Sequence, residues 1–128
     1  MRLTIIQYFF LVLFVILMVS IIPPKIYTIE HKVIKTITAI VTAYTPVPQE
    51  TDDTPLINAS NKKVAKGDIA NNCLPFGTRV RIDKEIYIVR DRLNKRYNCN
   101  HFDILVWNKQ KALEWGKQRK VVDVLAKI

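Results

Sequence analysis

Asp91 and Asp103 are two carboxylates placed where acid–base chemistry can use them. They stand in the segment Val89-Arg90-Asp91-Arg92-Leu93-Asn94-Lys95-Arg96-Tyr97-Asn98-Cys99-Asn100-His101-Phe102-Asp103-Ile104-Leu105. Asp91 closes one apolar run, Asp103 opens the next, and a polar loop joins them. On neighbouring strands the two can converge on one site. Arg90 and Arg92 flank Asp91, and nearby cations favour the ionised form. Apolar neighbours, Phe102 before it and Ile104, Leu105, Val106 and Trp107 after it, disfavour that form at Asp103. Asp103 is therefore the expected general acid. Asp91 is the expected anion, suited to orienting a partner or stabilising developing positive charge. Salt bridges with the many cations of this chain are the plainer role for both.

Other residues carry weaker signals. Asp52-Asp53-Thr54 can bind a cation or a sugar hydroxyl, but its composition favours a turn whose Asp side chains bond backbone amides. Asp68 and Asp83 read as exposed turn and strand positions. Trp107 and Trp115 read as core, on a central strand and at a helix end. Tyr44 and Tyr97 lie beside loops and are better placed for ligand contact. Cys73, Cys99, His31 and His101 lack zinc-ligand spacing, so no metal is expected. The chain has only three glycines and no phosphate-binding loop. No Ser-His-Asp or Cys-His set has supporting context, and no cofactor is expected.

The elements that must position the two acids follow from periodicity. Residues 36–44 alternate, with Ile37, Ala39, Val41 and Ala43 on one side, as a strand does. Residues 45–55 hold Pro46, Pro48 and Pro55 and form a loop. Residues 56–67 are polar, Ile69-Ala70 is a short apolar stretch, and residues 71–77 turn through Pro75 and Gly77. In residues 78–83, Val80 and Ile82 face inward while Arg79, Arg81 and Asp83 face out. A two-residue link makes residues 85–89 the hairpin partner of that strand. Residues 102–107 read as a central strand. Asn108 caps a helix over residues 109–115, which Gly116 stops. Residues 121–125 form a last strand. Six or so short strands and one helix predict a small, mainly β domain: a β-barrel, with a twisted open sheet as the alternative.

Residues 5–22 form an 18-residue run in which only Gln7 and Ser20 are clearly polar. A run of about that length reads as a transmembrane helix, and Pro23-Pro24 ends it. An anchor over residues 1–24 is expected, then a linker over 25–35 and one domain over 36–128. A cleaved signal peptide is the alternative, but its apolar region is usually about 7–15 residues and precedes a small-x-small site absent here. Lys25, Lys32 and Lys35 follow the run, and the positive-inside rule alone weakly favours a cytoplasmic domain. The domain holds 16 Lys and Arg against 10 Asp and Glu, a net of +6. That surface suits anionic lipid, nucleic acid or a polyanionic wall, or serves solubility alone. No helix-turn-helix or RNA-binding signature accompanies it, so nucleic acid is not an expected partner.

Several blocks in order resemble one family. Val41-Thr42-Ala43-Tyr44-Thr45-Pro46 is similar to the opening of the three-aspartate (3D) domain. Gly67-Asp68-Ile69-Ala70-Asn71-Asn72, with Leu74-Pro75-Phe76-Gly77-Thr78-Arg79-Val80 after it, resembles that family's central block. Val89-Arg90-Asp91 resembles its second aspartate block and Phe102-Asp103-Ile104 its third. Ala112-Leu113-Glu114-Trp115-Gly116 is similar to its closing helix. The likeness covers residues 40–125.

The resemblance implies a six-stranded double-psi β-barrel related to the membrane-bound lytic transglycosylases. It implies cleavage of the bond between N-acetylmuramic acid and N-acetylglucosamine in peptidoglycan, without water, leaving a 1,6-anhydro ring. Asp103 would be the acid/base and Asp91 a supporting carboxylate. Asn72, Tyr44, Thr45, Thr54 and Tyr97 would contact the glycan. The place of the family's first aspartate is read as Asn72, which cannot titrate, so a wall-binding module without catalysis is the alternative. The implied setting is the extracytoplasmic side of the membrane, with the chain a monomer held by its N-terminal helix. There Cys73 and Cys99 can pair; two unpaired thiols are the other reading.

Overall fold

The computed structural model describes residues 2–20, 25, 29–50 and 53–127. The chain divides into two compact units, Met1–Glu30 and His31–Ile128.

The first unit holds α1 (Ile5–Ser20). Thr4 and Gln7 form a capping box at its start. Thr4 N donates to Gln7 Oε1 at 2.9 Å and Gln7 N to Thr4 Oγ1 at 3.4 Å, which satisfies amides that a helix start leaves free. Its 16 residues span about 24 Å, short of the roughly 30 Å hydrocarbon layer of a bilayer. Among the described residues no helix is long and apolar enough to cross a membrane. The transmembrane helix expected from residues 5–22 is therefore not supported in that form. Residues 21–24, with the proline pair, lie outside the described residues.

The second unit is a barrel. Its strands are β1 (Val33–Tyr44), β2 (Asp68–Ala70), β3 (Arg79–Ile82), β4 (Glu85–Asp91), β5 (His101–Leu105) and β6 (Gln118–Leu125), with α2 (Lys109–Trp115) between the last two. They close in the order β1-β5-β2-β4-β3-β6. The pairs β1–β5 and β2–β4 are parallel, and the other four are antiparallel. The expected barrel is present, and the open sheet is excluded by this closure.

Alternation fills the interior. Val80 and Ile82 of β3 are buried, as expected, beside Val41, Ile69, Val89, Phe102, Ile104, Val122 and Val124 from the other strands. Their outward neighbours pair across strands: Arg81 Nη2 meets Asp123 Oδ2 at 2.8 Å. The helix signals act as read. Asn108 Oδ1 accepts from Lys111 N at 3.1 Å, and Gly116 ends α2 at a positive φ of 62°.

Some boundaries and burials differ. β1 begins at Val33, before the expected Thr36, because its first residues pair with β6 down to Leu125. β4 runs on to Asp91, since β2 pairs with it as far as Ala70. Trp107 is not core: β5 stops at Leu105 and the residue is 56% exposed. Trp115 does pack against the core, and its Nε1 donates to Val41 O at 3.3 Å. Asp68 was expected at the surface and is fully buried. Arg90 Nη1 at 2.8 Å, Asn58 Nδ2 at 3.0 Å and Ala65 N at 3.0 Å all bond its carboxylate, as a buried charge requires.

Candidate functional site

Three strands set the spacing of the two acids. β2 lies between β4 and β5, and Ala70 is the register partner of Asp91 on one side and Asp103 on the other. Two strand spacings put the backbones of the two acids about 10 Å apart. Both carboxylates line one cavity of about 510 Å³, together with Tyr44 and Ala70. Gln49, Glu50, Pro55 and Ile57 supply one wall from the loop after β1. Arg92, Leu93, Asn94, Arg96 and Tyr97 supply another from the loop between β4 and β5.

Asp91 is held by donors alone. Tyr44 Oη donates to its Oδ2 at 2.7 Å, and Ala59 N and Arg92 N donate to its Oδ1 at 2.9 Å. Ala59 reaches it because the segment around the Ile57–Lys63 bridge docks on β4, with Ser60 N donating to Arg90 O at 3.0 Å. Burial, the bond to Asp91 and the nearby acids push the Tyr44 phenol well above its usual range, so it stays a donor.

Neither flanking guanidinium reaches the Asp91 carboxylate, contrary to expectation. Neighbouring residues on a strand point to opposite faces. Arg90 turns away to Asp68. Arg92 Nη1 donates to Asn71 O at 2.6 Å, and its guanidinium carbon lies 3.8 Å from the centroid of the Phe76 ring. The period of two, applied to residues 90 and 91, was the available signal for Arg90; Arg92 follows the end of β4.

Asp103 behaves as its surroundings suggest. Burial pushes its carboxyl up to about 6. The hydrogen bond from Thr42 opposes that rise, and the charge of Asp91 adds to it. Thr42 Oγ1 donates to Asp103 Oδ1 at 2.9 Å and lies 3.1 Å from His101 Nε2. Burial and Lys117 lower the proton affinity of His101. The cavity thus holds one acid poised near neutrality and a second carboxyl group fixed by three donors.

No family profile matches this chain, and no curated protein matches it. Among the described residues no group of three His, Cys, Asp or Glu side chains is placed to hold a metal ion.

The expected glycan contacts divide. Tyr44 and Tyr97 line the cavity. Thr45 is buried, and its N and Oγ1 both donate to Glu50 Oε2 at 2.6 Å, so it shapes the loop instead. Thr54 is exposed and is not among the lining residues, although Pro55 beside it is. Asp53 is exposed, and Asp52 lies outside the described residues.

Asn72 is a clamp. Its Nδ2 donates to Asn94 O at 3.2 Å and Tyr97 O at 3.1 Å, and its Oδ1 accepts from Leu93 N at 2.9 Å. Asn71, fully buried, donates to Cys99 O and His101 O at 3.0 Å. Cys73 and Cys99 form a disulfide, with Cα atoms 5.2 Å apart. Three consecutive residues thus tie down the loop that walls the cavity. The residue between the two acids is Ala70, and Asn72 does not line the cavity. Sequence reasoning missed Glu50, a third carboxylate of the lining, which also ion-pairs with Lys109. Its setting among loop prolines gave no such signal.

Proposed function

We propose that this protein is a lytic transglycosylase acting on peptidoglycan glycan strands, with a domain of the three-aspartate, double-psi type. The observation that carries the reading is Asp103, raised to about 6, facing the same cavity as a firmly held Asp91. Asp103 donates its proton to the glycosidic oxygen as the bond to C1 of N-acetylmuramic acid breaks. Asp91 stabilises the positive charge that develops on the sugar ring. The Asp103 carboxylate then takes the proton of the 6-hydroxyl as that oxygen closes on C1, forming the 1,6-anhydro ring and restoring the acid. Two parallel pairs in a closed six-strand order support the double-psi topology. A disulfide supports an oxidising, extracytoplasmic setting. The apolar side chains of α1, exposed along the helix, support attachment to a membrane.

The test is product analysis on purified cell wall. The native protein is expected to release anhydro-muropeptides, and Asp103→Asn to release none while keeping the fold. Full activity in that variant would sink the assignment of the acid.

A non-catalytic wall-binding module is the second reading. Ala70 favours it, because the position between the two acids carries no titratable group. Retention on insoluble peptidoglycan with no soluble product would select it.

A further inference from the structure

A second cavity, of about 320 Å³, shares Arg96 and Tyr97 with the first. Its charge balance differs, since the first cavity sets three acids against Arg92 and Arg96. The first holds Glu50, Asp91 and Asp103. The second has no acid in its lining and has Arg96, Arg119, His101, Asn98 and Asn100.

Its cations are not spent on the protein. The ion pairs among the described residues use Arg81, Arg90, Lys109 and Lys120. Among the described residues the Arg96 guanidinium donates to Tyr97 Oη alone, at 3.0 Å, and lies over that ring. The Arg119 guanidinium has no hydrogen bond or ion pair to any described residue. It stands on β6 opposite Ile40, another residue of the cavity lining. The Tyr97 and His101 rings pack with centroids 4.2 Å apart at a tilt of 37°, and Tyr97 lines both cavities. His101 Nε2 is taken by Thr42, and its Nδ1 has no partner among the described residues.

We propose that the second cavity binds an oxyanion, carboxylate or phosphate, carried by the same polymer whose sugar occupies the first. Arg119 and Arg96 supply the charge, since a guanidinium presents paired donors that match either group. The shared wall means that one ligand can fill both cavities without leaving the surface. The link to a glycan rests on the peptidoglycan reading above; the oxyanion site itself does not.

The experiment is an NMR titration of the full chain in detergent micelles with three probes: glutarate, methyl phosphate, and a disaccharide-peptide from peptidoglycan in free-acid and amidated forms. At least one small anion is expected to shift the backbone amides of Asn98, Asn100, His101 and Arg119, and the tighter of the two identifies the group. Arg119→Gln should weaken that binding at least fivefold, and Arg119→Lys should restore part of it. The free-acid disaccharide-peptide should bind at least fivefold tighter than its amide, with the difference lost in Arg119→Gln. If neither small anion shifts those amides, or Arg119→Gln binds as the native chain does, the site is wrong. Small-anion binding without disaccharide-peptide binding would uphold the oxyanion site and overturn the peptidoglycan reading. Equal affinity for the free acid and the amide would overturn the link between the cavities.

Discussion

Thr42 and Asp103 are register partners across the parallel pair β1–β5, and the Thr42 hydroxyl donates to the Asp103 carboxylate at 2.9 Å. The bond favours the charged form of Asp103 and so opposes the effect of burial. Thr42→Val removes the donor at nearly constant volume. The Asp103 midpoint should then rise above about 6, by about one unit for a bond to a charged acceptor. Carboxyl carbon shifts followed against pH measure it directly. An unchanged or lowered midpoint would show that the bond is not made in solution.

The same shift makes stability depend on pH. The folded value for Asp103 is about 6 against 3.8 for the free group. A carboxyl raised on folding contributes stability that is full below the unfolded value and is lost as pH rises through the folded one. The barrel should lose about 2–3 kcal/mol from this group between pH 4 and pH 7. Asp103→Asn should flatten that slope and be the more stable protein at pH 7. Urea midpoints at the two pH values, for both proteins, test the sign.

Asn72→Ala separates a clamp from a ligand group. Three hydrogen bonds to the wall loop are lost, at a cost of about 2–3 kcal/mol in all. Amide exchange should quicken at Leu93 and across residues 94–97. If Asn72 were mainly a sugar contact, stability and exchange would stay as in the native chain and glycan affinity alone would fall.

The disulfide closes a loop with a sequence separation of 26, which by chain entropy stabilises the fold by about 3–4 kcal/mol. The double variant Cys73→Ser, Cys99→Ser should show that loss in thermal or chemical denaturation. The Asn71 and Asn72 bonds should keep the wall loop in place, so the cavity persists at temperatures well below the new transition. A double variant with native stability would contradict the bridge.

What was legible in the sequence is what local pattern controls. Val80 and Ile82 alternate against Arg79 and Arg81, and the strand they predict is there. Asn108 and Gly116 bound the helix they announce. The contrast between Asp91 and Asp103 was legible only by half. Burial does raise the proton affinity of Asp103, although Phe102 and Ile104 beside it face the core while Asp103 lines the cavity. Arg90 points away to Asp68, and Arg92, past the end of β4, lines the same cavity but bonds Asn71 O, so adjacency in sequence misled. Asp68 was opaque for a different reason. Its partners Asn58 and Arg90 lie 10 and 22 residues away and meet it only when the barrel closes. The role of Asn72 was hidden likewise, since its three partners belong to a loop more than 20 residues on.

β2 has only three residues, yet it is bonded to a strand on each edge and is buried throughout. It therefore acts as a spacer of fixed width. The gap between Asp91 and Asp103 is set by backbone pairing and owes nothing to the length or composition of the surrounding loops. Those loops can be lengthened, shortened or recharged to change which polymer enters, and the two acids will still stand the same distance apart. Ligand choice and acid spacing are thus separately adjustable in this barrel, and the small side chain of Ala70 leaves the space between the acids open to whatever the loops admit.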